Sequence, residues 1–387
     1  MIEKALKGGP RYWAWISFLL LVIVIGFMFY LRQLSTGLGI TGMSRDISWG
    51  VYIAQFTYLV GVAAGAVMLV MPKYLHGYKR YGEIIIFGEF LAIAAVTMCL
   101  LFIVADLGQP MRLMNVLLHP TPNSILFWDM IVLNGYLLIN LIVGYNTILA
   151  MKKNVPPPGW IKPFIYLSIP WAFSIHTVTA FLYCGLPGRH AWLTAIMAPR
   201  FLASAFASGP AFLVIMLMII KRVTRWSPDP EAIQNVARTI CYAMIANLFF
   251  LCLEFFTAFY SNIPGHMHPL KYLFWGLWGY NSLVPWMRVS IIAGVIGVFI
   301  MLIPPLRRKE GFLILGCAAI VLGTWIDKGV GLVIGGFIPN PFEKITEYQP
   351  TLPEISITLA IWATGFLILT VLYKMVIYLK ERDLAVE

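Results

Sequence analysis

Charge is what this 387-residue chain has least of: 12% of its residues are Asp, Glu, Lys or Arg, against 60% hydrophobic ones. A water-soluble domain carries about 25% charged residues, so most of this surface is built to face something other than water. Cysteine is sparse as well. Cys99, Cys184, Cys241, Cys252 and Cys317 stand far apart with no C-x-x-C pair among them. That argues against an iron–sulfur cluster, a zinc site or covalently attached haem on this polypeptide. Histidine is no richer: His176 lies well inside an apolar run, whereas His76, His119, His190, His266 and His268 fall in connections. Haem b held between two imidazoles draws them from facing helices of a bundle, which makes it a strained reading here. No basic run is interleaved with aromatics, so nucleic acid is not an expected partner. Nor does a small-residue cleavage site follow the first apolar run, where Leu31-Arg-Gln-Leu-Ser stands instead. A retained span is expected there rather than a signal peptide.

What the chain does have is hydrophobic length, with a mean hydropathy of +0.82. Apolar runs of about 20 residues, the length that crosses a bilayer, recur ten times. The spans read as 12–31, 49–72, 82–105, 125–150, 162–184, 200–220, 238–260, 283–303, 311–334 and 354–379. They fill residues 1–387 as a single all-α polytopic membrane domain and leave no room for a soluble one. Of the 28 Lys and Arg residues, 19 lie on the side of the N-terminus and the even-numbered connections and 9 on the other. The positive-inside rule then puts both termini in the cytoplasm.

The two sides also differ in texture. Cytoplasmic connections are short and basic. The outer ones are dense in Gly, Pro, Trp and His: Asp106-Leu-Gly-Gln-Pro-Met-Arg112, Pro187-Gly-Arg189-His-Ala-Trp192, Asn262-Ile-Pro-Gly-His-Met-His268 and the stretch 335–353. Such rigid loops suit partner docking, with interfacial Trp and Tyr belts as the plainer alternative. Asp106, Arg112 and Arg189 are the candidates for docking a partner or shaping these loops.

Ionisable groups inside hydrocarbon are costly and mark functional sites. At about 1.5 Å rise per residue, His176, Asp129, Glu254, Asp327, Lys328 and Arg288 all fall in the outer third of the membrane. The inner half carries Glu89 on span three, Asn134, Asn140 and Asn146 on span four, and Asn247 on span seven. Glu89 and Asn134 are candidates for a proton pathway, although membrane bundles also use such groups simply to bridge helices.

In order and spacing these motifs resemble the NrfD/PsrC-like family of membrane anchors of respiratory oxidoreductases. Ser48-Trp49-Gly50-Val-Tyr52 with Gly61-Val-Ala-Ala-Gly65 looks like its second-span signature, and Asp106–Arg112 is similar to its D-L-G-x-P-x-R loop. Ser174–His176 with Arg189 and Trp192 looks like the branch containing HybB and DsrP, and Glu254–Tyr260 with Asp327-Lys328-Gly329 points further toward DsrP or HmeB of the Dsr/Hme complexes linked to sulfite reduction. The resemblance implies two four-helix bundles plus two flanking helices. It also implies menaquinone or menaquinol bound near the outer face, and no haem or iron–sulfur cluster on this chain. The partners it implies are an extracytoplasmic ferredoxin-like iron–sulfur subunit, a multihaem cytochrome c, and a haem-b membrane subunit with its cytoplasmic iron–sulfur subunit.

The residues themselves are compatible with that role. An imidazole ordinarily titrates near neutral pH, which makes His176 the candidate to hold a quinone carbonyl and take a quinol proton. Glu254 or Asp129 is the candidate for the second proton, and Arg189, Trp192 and Asp327 complete the expected quinone site. The rival is a secondary transporter or proton-translocating channel, where the site lies near the midplane on broken helices. Here the charges cluster outward, with Pro170 and Pro285 expected to kink spans five and eight.

Overall fold

The structure, a computed structural model, describes residues 7–384; Lys4, one of the cytoplasmic-side charges, lies outside them. Ten helices long and apolar enough to cross a membrane follow one another: α1 Pro10–Thr36, α2 Val51–His76, α3 Ile85–Asp106, α4 Ile125–Lys153, α5 Gly159–Cys184, α6 Met197–Val223, α7 Pro230–Tyr260, α8 Val284–Leu302, α9 Glu310–Phe337 and α10 Leu352–Arg382. All ten expected spans are present. Most helices overrun their apolar cores, because a helix continues into polar ends wherever its caps lie further out. α7 begins eight residues early, at Asp229-Pro230-Glu231: the Asp229 carboxylate accepts from the Glu231 N–H at 3.0 Å, and Pro230 occupies the first turn. Both features favour a helix start. α4 runs on through Lys152 and Lys153, cations suited to the C-terminal end of the helix dipole, and stops at Asn154 in the left-handed conformation.

Packing sorts the helices into two four-helix bundles, α2–α5 and α6–α9, with α1 and α10 paired against each other on the flank and α10 leaning on α3. The bundles meet through α2, which touches both α6 and α9, and through α5 against α6. α2 is the keystone: 94% of its apolar window is buried, against 17% for α1. An apolar α1 left open to the outside is what lipid solvates. Small residues make the central crossing close. A Cβ on Gly65 of α2 would fall 2.6 Å from the Gly209 Cα on α6, so only glycine allows these backbones to touch.

Two local features differ from expectation. Pro170 does lie inside α5, but Pro285 sits in the first turn of α8, where its missing N–H is harmless and it starts the helix rather than kinking it. α9 widens into a π-helix over Ile326–Ile334. That irregularity is rare and often marks functional positions.

Candidate functional site

The outer end of the second bundle holds a cavity of about 480 Å³. α6, α7 and α9 wall it, together with the loop Ala191–Ile196 and the short outer helix Pro264–Phe274. Its charged wall is one cluster. Arg200 donates through Nη1 to Glu254 and through Nη2 to Asp327, the latter at 2.6 Å. The three side chains are only 10–13% exposed. Arg200 bridges the two carboxylates with separate arms of a rigid fork, a geometry lysine cannot copy. The remaining oxygen of Glu254, Oε1, is buried and has no hydrogen-bond partner among the described residues. A buried carboxylate oxygen without a partner is expensive.

Trp192 and Gly336 close the wall nearest the bundle interface. The Trp192 indole N–H donates to the Leu332 carbonyl at 2.8 Å. Its ring stacks on Trp49 and meets Tyr183 and Phe337 edge-on. Leu251, Ala258, Ile263, Leu270, Leu273, Phe274 and Met287 supply an apolar lining, and His266 adds an imidazole from the outer helix. A mostly apolar cleft with a few convergent polar groups is the usual form of a small-molecule site.

Of the residues expected from sequence, Trp192, Glu254 and Asp327 therefore meet at one cavity. His176 is not part of its lining. It is fully buried on α5 in the first bundle, and neither ring nitrogen has a hydrogen-bond partner among the described residues. Asp129 is also buried there, and Thr179 donates to it at 2.7 Å. Arg189 reaches across the outer loops, donating to the Phe337 carbonyl at 3.0 Å and the Asp46 carbonyl at 3.2 Å, with its guanidinium 4.5 Å from the Phe337 ring centre. Asp46 in turn accepts from Thr346 and Asn340, hydrogen bonds that hold its carboxyl below the usual range. Arg112 is exposed in the turn Pro110–Arg112. Asp106 ends α3 half-buried, with Oδ1 unpartnered among the described residues. On the inner side, Glu89 is buried with Oε2 likewise unpartnered. Asn134, Asn140 and Asn146 each donate to a carbonyl four residues back on their own helix.

Two cavity residues escape a reading by composition. Arg200 sits at the nominal edge of its apolar run and looks like a loop residue, but α6 starts at Met197 and carries it inside by a turn. His266 reads as a loop residue, and that loop folds into a helix over the cavity. Conversely, Arg288 lies within α8 but is exposed, so it faces away from the charged cluster.

A family profile described as polysulphide reductase, NrfD, matches residues 39–338. The chain belongs to that family and is a multi-pass integral membrane protein. It is 24% identical to a putative dimethyl sulfoxide reductase membrane subunit of Halobacterium salinarum, over 92% of this chain and 88% of that one. It is also 24% identical to the Hdr-like menaquinol oxidoreductase integral membrane subunit of Archaeoglobus fulgidus, over 80% and 75% of the two chains. With the menaquinone reductase integral membrane subunit of Nitratidesulfovibrio vulgaris it shares 20% identity over 97% and 94%.

Proposed function

We propose that this NrfD-family chain is the quinone-exchanging membrane subunit of a respiratory complex, and that menaquinol or menaquinone binds in the cavity bounded by Arg200, Glu254, Asp327 and Trp192. The observation that carries the reading is the buried Arg200–Glu254–Asp327 cluster on the wall of a largely apolar cavity, its guanidinium fixed between two carboxylates. A quinone headgroup presents two carbonyl or hydroxyl oxygens on an apolar ring. Arg200, with five N–H donors, supplies a donor to one of them, and Glu254 supplies an acceptor for a quinol hydroxyl. Oxidation of the quinol releases two electrons and two protons; reduction of the quinone takes up the same. Glu254 is the first station for one proton, and the electrons pass to a redox centre on a partner subunit, since this chain is proposed to hold none. The names of two relatives, a menaquinol oxidoreductase and a menaquinone reductase subunit, support the same ligand.

In this proposal Arg189 serves to shape the outer loops through its carbonyl contacts, while exposed Arg112 and the outer loops receive an extracytoplasmic iron–sulfur subunit. The further partners would be a multihaem cytochrome c and a haem-b membrane subunit with its cytoplasmic iron–sulfur subunit. The link to sulfite reduction rests on the motif likeness at Glu254–Tyr260 and Asp327–Gly329 alone. Glu89 and Asn134 remain the proposed inner proton route.

A menaquinone analogue carrying an azide on its ring tests the site. Illuminated in membranes holding the assembled complex, it should label peptides from 191–200, 251–258 or 327–336. Labelling confined to α4 and α5 around Asp129 and His176 would move the site to the first bundle.

A further inference from the structure

The side chains on the main cavity wall that carry charge or titrate are Arg200, Glu254, His266 and Asp327. Three of them form the buried cluster, in which both carboxylates share Arg200. A guanidinium keeps its protons permanently, so Arg200 can orient a ligand but cannot carry a proton away from it. His266 comes from elsewhere, on the outer helix Pro264–Phe274 that covers the cavity. An imidazole takes up and gives back a proton in response to small changes in its surroundings.

His266 also has a neighbour on the water side. Its ring meets the ring of His190 edge to face, with centroids 5.9 Å apart and planes at 68°. His190 opens the short turn His190–Trp192, which packs against the outer helix. The next two residues, Ala191 and Trp192, line the cavity, while His190 itself is exposed. One ring of the pair therefore borders the cavity, the other reaches the outer water, and the two are in contact. That contact is held from both sides. A Cβ on Gly265 would press within 3.0 Å of the His190 ring, so the missing side chain is what lets the ring lie against the helix. Arg189, one residue earlier, fixes the turn through the Phe337 and Asp46 carbonyls. His268, on the same helix, is placed differently: its Nδ1 is engaged by Glu343 at 2.8 Å, its ring meets Trp278, and it is not part of the cavity lining.

We propose that His266 and His190 form the outward proton exit of the cavity. The proposal rests on the quinone reading above and supplies a route for the proton that Glu254 does not take. When quinol is oxidised, two electrons leave to the partner's redox centre. One hydroxyl O–H breaks as Glu254 is protonated, and the other breaks as a neutral His266 nitrogen gains an N–H. The imidazolium so formed gives up the proton on its other nitrogen, through one bridging water, to a nitrogen of His190. His190 then releases a proton to the outer water, and both rings return to neutral. Quinone reduction runs the same steps backwards and draws its proton from outside.

The test uses the assembled complex, verified by the absorbance of its partner redox centres, with kcat and KM measured on a soluble quinol analogue. His266→Ala and His190→Ala should each lower kcat by about tenfold or more while KM stays within about twofold. Free imidazole in the buffer should restore much of the lost rate in both, because a diffusing base can carry the proton through the space the ring has left. His268→Ala should keep the wild-type rate; an equal loss there would trace the effect to the packing of the outer helix and overturn the exit. Wild-type kcat in either of the first two variants overturns it, as does a raised KM at unchanged kcat, which would make the imidazole a binding group. A loss of kcat that imidazole does not restore would reduce the pair to a packing contact and overturn it equally. Should His266→Ala fail to assemble, His190→Ala, at an exposed position, decides by the same measurements. The azide label separates the two ideas: cavity labelling with wild-type kcat in both variants sinks the exit alone, whereas labelling elsewhere sinks the quinone site.

Discussion

Both bundles bury a carboxylate near their outer ends, and the two are treated differently. In the first, Asp129 is buried and accepts a hydrogen bond from Thr179, and it does not line the cavity of the second bundle. In the second, Glu254 shares Arg200 with Asp327, leaves one oxygen without a partner among the described residues, and belongs to the wall of a cavity of about 480 Å³. A buried charge alone marks a place that needs compensation. A buried charge beside empty space marks a place that can accept a ligand.

The largest effect that would test this contrast comes from Arg200. Arg200→Met leaves two buried carboxylates without their cation, and removing one partner of a buried pair costs about 3–5 kcal/mol. Yield of the assembled complex and its thermal midpoint should both fall, and quinol turnover should be lost. An Arg200→Met complex as stable as wild type would mean that the cluster is open to water rather than buried.

Next come paired substitutions that keep shape and remove charge. Glu254→Gln should lower quinol turnover by about 10²–10⁴-fold, the usual contribution of a positioned proton acceptor, with the complex intact. Asp129→Asn should stay near the wild-type rate, because an amide oxygen can still accept from Thr179. Equal losses in steady-state assays of the two variants would erase the distinction between the bundles.

A smaller effect is expected at the cavity wall. Trp192→Phe removes the hydrogen bond to the Leu332 carbonyl while keeping most of the ring packing, at about 1 kcal/mol. It should raise KM for quinol more than it lowers kcat, as seen in initial-rate measurements. The smallest belongs to the inner face, where Arg80 pairs with Glu231 at a side chain that is 53% exposed. Arg80→Ala should cost less than about 1 kcal/mol and leave turnover unchanged.

These contrasts also show what a linear sequence carries. The ten spans are legible because apolar length is a one-dimensional property. Depth along a span is legible in part: Glu254 and Asp327, expected in one layer, meet at Arg200. Azimuth is not: spans apolar all round do not reveal which side faces inward, so Arg288 reads as interior and is exposed, while Arg200 reads as a loop residue and holds the cluster together. The pairing of helices into two bundles comes from the family likeness and not from periodicity. Empty volume has no residue code at all: His176, the most conspicuous polar residue in the chain, reads as the quinone partner, and it is not among the residues that line the cavity.

The central claim is that the quinone headgroup sits in the second bundle. Electron cryomicroscopy of the complete complex with a bound menaquinol analogue tests it most directly. Density for the headgroup within hydrogen-bonding distance of Arg200 or Glu254, with Trp192 along the ring, is the predicted result. A headgroup lodged between α4 and α5 against His176 and Asp129, with the Arg200 cavity holding only water or lipid, would contradict it.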